Sequence, residues 1–488
     1  MTRHSADVRA RTATVLLMAP LLLLAVLAVS LLAPAPAHAG RKQWAVFEDH
    51  TALVRSSPSK RARTLSEIRR LGADTLRVEV RWNEVAPRPR SRHKPTFDDR
   101  NPAAYPGFWP YDNLITQATA LGMRVIITLT GDTPRWATAG GRGRSFATAN
   151  YRPSATLYSH FAAAVAKRYS GHFGLPAVRY FTIWNEPNHK QFLKPLRSAP
   201  ALYRNLVDAA IPQVRSNGAS HVRVFVGETA PVGRPGKATG PKAFIRRWLC
   251  LSRRLRATRH GSGCRHFKRI KADGFAHHPY GPVDRVPRKL DVINMLNIRT
   301  LGQYLDRAAG AHRLPGHLPI YSTEFGLQSN PPDFSVSTTP SKQARLINEK
   351  ELYSYKYSRL KSYSQYLLHD DPARPGPASL RWAGFQTGLR FPSGRRKPSW
   401  NAYRFPIVVH RRRGGVSVWG CVRPGEGGRY ARLYAGGRRA GPLVRTNSMG
   451  YFQVRRKRVA NYRFRAYDRS KSGALHKLGT SRTAAPTR

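Results

Sequence analysis

Two glutamates stand where short apolar runs stop. Glu186 closes Tyr180-Phe181-Thr182-Ile183-Trp184-Asn185 and is followed by Pro187; Glu324 closes Leu318-Pro319-Ile320-Tyr321-Ser322-Thr323 and precedes Phe325-Gly326. The aromatic and β-branched residues of these runs suit buried strands, and Pro187 cannot donate to a sheet ladder, so the first strand must end beside it. Each strand then delivers a carboxyl group at its C-terminal mouth. A facing pair of carboxyls can break a glycosidic bond. One protonates the leaving oxygen and the other attacks the anomeric carbon, with retention when they are about 5–5.5 Å apart. Asn-Glu-Pro also suits a plain polar turn; the recurrence of the pattern at Glu324 argues for chemistry. Glu48 and Glu228 end strands too and compete for either place in the pair.

Positioning such a pair takes a scaffold of repeated strands. Strands are expected at Trp44–Phe47, Thr75–Val80, Arg124–Thr130, Tyr180–Trp184, Val222–Gly227, Gly274–His277, Ile320–Thr323 and Ser362–Leu368. Helical patterns alternate with them, for instance Ser59–Leu71, with Leu65, Ile68 and Leu71 on one face and Gly72 at its end. Eight βα units predict an α/β fold, a (β/α)8 TIM barrel over residues 40–407, with its active site at the C-terminal ends of the strands. From about Val408 the pattern turns to period-two runs separated by glycines (V-S-V-W-G-C-V, Y-A-R-L-Y-A, Y-F-Q-V, Y-R-F-R-A-Y). These predict a small C-terminal β-sandwich over 408–488, loose from Ser470 onward.

The motifs resemble clan A of the glycoside hydrolases, especially families 5 and 39, over about Trp44 to Pro406. The clan's Asn-Glu-Pro on strand four matches Asn185-Glu186-Pro187, and its strand-seven glutamate matches Glu324. The resemblance makes Glu186 the acid/base and Glu324 the nucleophile of a retaining glycosidase. It has Asn185 bond the sugar 2-hydroxyl. His278-Pro279-Tyr280 matches the strand-six His-x-Tyr, which puts His278 and Tyr280 among the substrate-binding residues, with Tyr280 also donating to Glu324 and keeping it ionised. Arg77 matches the strand-two arginine beside the nucleophile, and Glu186 is expected to hold its proton. Family 5 members often carry a histidine near the end of strand three, where Thr128-Leu129-Thr130 stands here; this favours a family-39-like relative. Loop aromatics Trp82, Trp136 and Trp382 are candidates for stacking on sugar rings. Asp370-Asp371 reads as a solvated loop. His277-His278 lack a third ligand at metal spacing, so neither metal nor cofactor is expected.

The 488-residue chain is 41% hydrophobic and 10% aromatic, which fits a globular protein; its net charge of +58 implies attraction to polyanions such as acidic cell-wall polymers, while the spread of arginines along the whole chain equally suits a compositional bias on a solvated surface. Nothing in it resembles a nucleic-acid module. Arg3, Arg9 and Arg11 precede the apolar run Ala13–Ala33, and Ala37-His38-Ala39 offers a signal-peptidase site. Residues 1–39 are therefore read as a signal peptide, and the mature enzyme as secreted, free of the membrane after cleavage, with a carbohydrate substrate; left uncut, the apolar run is long enough to anchor the chain in a membrane. Export permits disulfides, and Cys250 and Cys264 are close enough in sequence to close a local loop, leaving Cys421 buried or as an odd thiol. Two other readings stand beside hydrolysis: a catalytically silent barrel that binds acidic glycans, and a transglycosylase.

Overall fold

The computed structural model describes residues 43–487 except 142–148, 282–284, 289, 335 and 471. The expected signal peptide lies outside the described residues. Eight parallel strands run in the order expected of a barrel: β1 (Trp44–Glu48), β2 (Thr75–Arg81), β3 (Arg124–Thr130), β4 (Tyr180–Ile183), β5 (Arg223–Thr229), β6 (Gly274–His277), β7 (Ile320–Ser322) and β8 (Ser362–Tyr366). β8 pairs with β1, and β7 closes on the chain entering β8 through the bridge Ile320↔Leu360.

Period-two alternation sorts the strand side chains. Leu76, Val78 and Val80 of β2, Val125, Ile127 and Leu129 of β3, and Phe181 and Ile183 of β4 face outward into the core shared with the helices. The alternate positions point inward. At the base Trp44, Tyr180, Phe225 and Tyr321 pack ring against ring, with Phe225 and Tyr321 stacked at 4.0 Å. Above this aromatic plug the inward residues turn polar: Glu48, Arg77, Glu79, Thr128, Thr182 and Glu228 are all buried. The functional chemistry rests on that floor.

The C-terminal strands form two sheets, antiparallel except where the edge strand Pro486–Thr487 runs parallel to Ile407–Arg412. One orders Met449–Arg456, Gly415–Glu426, Ile407–Arg412 and Pro486–Thr487; the other orders Arg438–Arg439, Tyr430–Ala435, Tyr462–Arg469 and Leu475–Thr480. The stretch after Ser470, expected to be loose, instead supplies a strand to each sheet. Its side chains carry little apolar signal because pairing with Tyr462–Arg469 and Ile407–Arg412, not burial, holds it. These sheets meet the barrel near its base. Arg423 pairs with Glu351 on the helix Pro340–Tyr355, both buried, and Tyr451 donates to Glu351 at 2.9 Å. Leu352, Val408, Trp419, Cys421 and Tyr451 form one apolar cluster across the joint. Gly72 has φ +93, and a Cβ there would lie 2.3 Å from that of Arg423, so this helix end must be glycine.

Cys250 and Cys264 are bonded, as expected, across a separation of 14 residues, and Cys421 is buried. In the chain-entropy model a loop of this size gains about 3 kcal/mol. Replacing Cys250 and Cys264 by Ser together should lower the unfolding free energy by up to that amount, read from the denaturant midpoint.

Candidate active site

Arg77 is the hub of the barrel mouth. Its fully buried guanidinium donates to Glu48 at 2.5 Å, to Glu324 at 2.7 Å, to Asn185 at 2.7 Å and to both oxygens of Glu228 at 3.1 and 2.6 Å. Glu79 lies 3.6 Å away and is held mainly by Arg81. Thr128, one of the residues in place of the family-5 histidine, donates weakly to Glu228 at 3.3 Å, and Thr130 accepts from the Asn185 amide at 3.2 Å. Glu48 and Glu228 are thus spent on the arginine below the mouth: they are 3% and 0% exposed. They do not replace the expected pair.

The strand-four turn is built against its own backbone preferences. Trp184 and Glu186 sit at φ 66 and 38, a region that costs bulky residues roughly 1–3 kcal/mol each. The offset is visible. The Trp184 ring is fully buried with its indole N–H on the Phe192 carbonyl at 2.8 Å, and the Glu186 amide donates to the Glu228 carbonyl at 3.0 Å. The result turns the Glu186 side chain, half-buried, toward Glu324.

An oxygen of Glu186, a nitrogen of His278 and an oxygen of Glu324 all lie within 4.8 Å of one another. Sequence spacing gave no hint of this trio, which also has the dimensions of a metal site. His278 contacts Glu186 at 3.0 Å and Glu324 at 3.6 Å, and its ring is fully buried. The expectation that His278 touches substrate is therefore corrected: it holds a carboxyl in place from below. Burial, then the Arg77 charge, press its pKa well below the ordinary value, so it stays neutral. His277 is occupied elsewhere, with Thr229 at 2.8 Å and the Ile293 carbonyl at 2.8 Å.

Tyr280 donates to Glu324 at 3.1 Å, as expected. The electrostatic consequence differs from expectation. Burial outweighs Arg77 and Tyr280, and with Glu79 and Glu228 nearby it raises Glu324 to about 7. Burial, and next the Glu324 charge, push Glu186 well above the ordinary carboxyl range. Both carboxyls are proton-holding groups near neutrality, and Glu324, bonded to Arg77 and Tyr280, is the one favoured to ionise first.

The predicted tryptophan platforms are corrected. Trp82 is 0% exposed and stacked on Phe161, and Trp136 is 7% exposed, edge-on to Trp82 with its indole N–H on the Pro87 carbonyl. Both are core, because the loop after β2 folds back over the helix Ala155–Arg168. Trp382 is half-buried in the loop after β8. The ring that meets the site is one the sequence reading missed: Phe385, 41% exposed, lies 6.2 Å from Tyr280 and 5.0 Å from Tyr366. Asp370-Asp371, expected to be solvated, fastens this loop. Asp371 accepts from the Phe385 amide at 2.8 Å, and buried Asp370 pairs with Lys397 at 2.7 Å. A lone phenylalanine among Ala, Gly and Gln carries no period, so only its exposed position identifies it.

The family model of cellulases (glycosyl hydrolase family 5) matches residues 37–359. No curated protein matches the sequence significantly. Solved structures similar in fold include the GH39 β-xylosidase of Caulobacter crescentus, 19% identical, TM-score 0.49, covering 82% of this chain and 83% of that one. The GH39 enzyme of Xanthomonas axonopodis pv. citri is 16% identical, TM-score 0.48, with 86% and 93% covered. The endo-1,4-β-mannanase of Rhizomucor miehei is 14% identical, TM-score 0.43, with 73% and 92% covered. The family match falls on family 5 although Thr128-Leu129-Thr130 had pointed away from it. With an eight-stranded barrel and paired carboxyls at its mouth, this chain belongs to glycosyl hydrolase family 5 and is a glycoside hydrolase.

Proposed function

We propose that the enzyme cleaves its glycoside with retention, Glu324 acting as nucleophile and Glu186 as acid and then base. The observation that carries this reading is the approach of a Glu186 oxygen and a Glu324 oxygen to within 4.8 Å beyond the ends of β4 and β7, short of the roughly 6.5–9.5 Å carboxyl spacing of an inverting enzyme. Arg77 and Tyr280 both favour the charged form of Glu324, while the close side-chain partner of Glu186 among the described residues is neutral His278. In the first step Glu324 bonds to the anomeric carbon as Glu186 gives its proton to the leaving oxygen. In the second, Glu186 takes a proton from water, which displaces Glu324. Asn185, fixed by Arg77 and Thr130, is placed to bond the sugar 2-hydroxyl, and Phe385 offers an apolar face to a ring.

The test is Glu186→Ala assayed on an aryl glycoside with a good leaving group. The glycosyl-enzyme should accumulate, and azide should release it as a glycosyl azide of retained configuration. An inverted product overturns the assignment. A second expectation concerns pH. Glu324 must be ionised to attack, so kcat/KM should fall as pH drops through about 7, where Glu324 takes its proton. A profile flat down to pH 5 contradicts this.

The enzyme is read as exported, which the Cys250–Cys264 bond suits; no described helix is long and apolar enough to cross a membrane. The C-terminal sheets, joined to the barrel near its base through Arg423 and Glu351, are read as a structural support rather than part of the sugar site.

A further inference from the structure

The chain leaving Glu186 pairs with the Arg234–Ala238 turn through an isolated antiparallel bridge, forming a short ribbon of two segments. The His189 amide donates to the Glu186 carbonyl at 2.9 Å, His189 bridges Ala238, and the Lys190 amide donates to the Lys237 carbonyl at 2.8 Å. Fully buried Asn188 pins the ribbon through its amide, which donates to the carbonyls of Ala230 at 3.1 Å and Thr239 at 2.9 Å. A tight turn at Arg234–Ala238 closes the second segment. The ribbon is therefore fixed relative to Glu186.

Its exposed charged side chains are all cations, Lys190 on one segment and Arg234 and Lys237 on the other, beside exposed Gln191 and Pro235. They act together on His189, whose pKa burial lowers first and these three cations lower further. Neither loop brings a counterion, since no Asp or Glu occurs from 187 to 207 or from 229 to 272. None of the three joins an ion pair among the described residues. Like charges on neighbouring strands cost stability, and an anion lying across them removes the cost. A diffuse basic surface has no need to place three cations on a pinned ribbon hydrogen-bonded to Glu186.

The group that protonates a glycosidic oxygen lies against the leaving sugar, so a ribbon continuing from that group borders the leaving-group side of the cleft. We propose that this side takes an anionic saccharide, its ring carboxylate or ester sulfate paired by Lys190, Lys237 and Arg234. The assignment of the side rests on Glu186 being the acid; the binding of the anion does not.

The test measures binding rather than turnover. Calorimetric titration compares tetragalacturonate with its methyl ester, and a sulfated galactan tetrasaccharide with its unsulfated parent, at about 0.15 M salt. Wild type should bind a charged probe at least about tenfold more tightly than its neutral counterpart. The preference should vanish in Lys190→Glu/Lys237→Glu and persist in Arg438→Glu/Arg439→Glu, a reversal on the exposed Arg438–Arg439 strand of the C-terminal sheets. The ratio of charged to neutral affinity is immune to a general loss of folded protein. Preference for the uronate or for the sulfate identifies the source of the anion. No preference in wild type, or equal loss in both variants, overturns the inference. If the preference holds while Glu186→Gln still hydrolyses fully, the catalytic assignment fails and the anion site stands.

Discussion

Glu324→Gln should lower kcat on an aryl glycoside by on the order of 10⁴-fold or more, the scale seen when the nucleophile of an interdependent catalytic group is removed. The same substitution should stabilise the protein, and only at neutral and alkaline pH. Glu324 ionises near 7 in the folded enzyme, against about 4.3 in an unfolded chain. The folded state therefore holds the proton more tightly, and native stability is lost as pH rises from about 4.3 through 7. Glutamine has no proton to lose. The difference between variant and wild type should thus be small at pH 4 and grow to about 1–3 kcal/mol by pH 8, after allowance for weakened bonds from Arg77 and Tyr280. Urea unfolding at the two pH values checks it. A pH-independent difference would show that Glu324 ionises in the folded protein as it does unfolded. Loss of activity with gain of stability is the signature of a group held in a costly state for its chemistry.

Glu351→Gln should cost about 3–5 kcal/mol, the penalty for leaving a buried partner charge uncompensated. Arg423 is 2% exposed, and Glu351 takes both of its guanidinium contacts to a carboxylate as well as the Tyr451 hydroxyl. Removing both charges, as Glu351→Leu with Arg423→Met, should recover most of the loss, because well-packed apolar groups can replace a buried ion pair. The pair sits at the joint with the C-terminal sheets, away from Glu186 and Glu324. Turnover per folded molecule should therefore stay at the wild-type level while the denaturation midpoint falls. A midpoint unchanged in Glu351→Gln would mean that the apolar cluster around Trp419 and Leu352 carries the joint alone. Truncation at Val408 would strip both and expose that cluster, so the shortened chain is expected to aggregate.

The sequence by itself determined the barrel and pointed to the two carboxyls that meet at its mouth. Local signals suffice for these: β-branched and aromatic runs make strands and alternation assigns their faces, although β4 stops at Ile183, before the proline expected to end it. Arg77, Asn185 and Tyr280 also fall where their motifs implied, since each is fixed by its position within a strand or just beyond its end. Tertiary structure alone decided the rest. Trp82 and Trp136 look like loop aromatics until the loop folds back and buries them, while Phe385 becomes the exposed ring only because Asp371 fastens its loop. His278 turned from a sugar contact into a support for Glu186, and the strands after Ser470 exist by pairing with partners earlier in the chain. Most decisive is the proton on Glu324. Its pKa depends on burial and on Glu79, Glu228 and Arg77, which converge from β2 and β5. Charge at a site is a sum over neighbours in space, and no spacing along one chain can supply it.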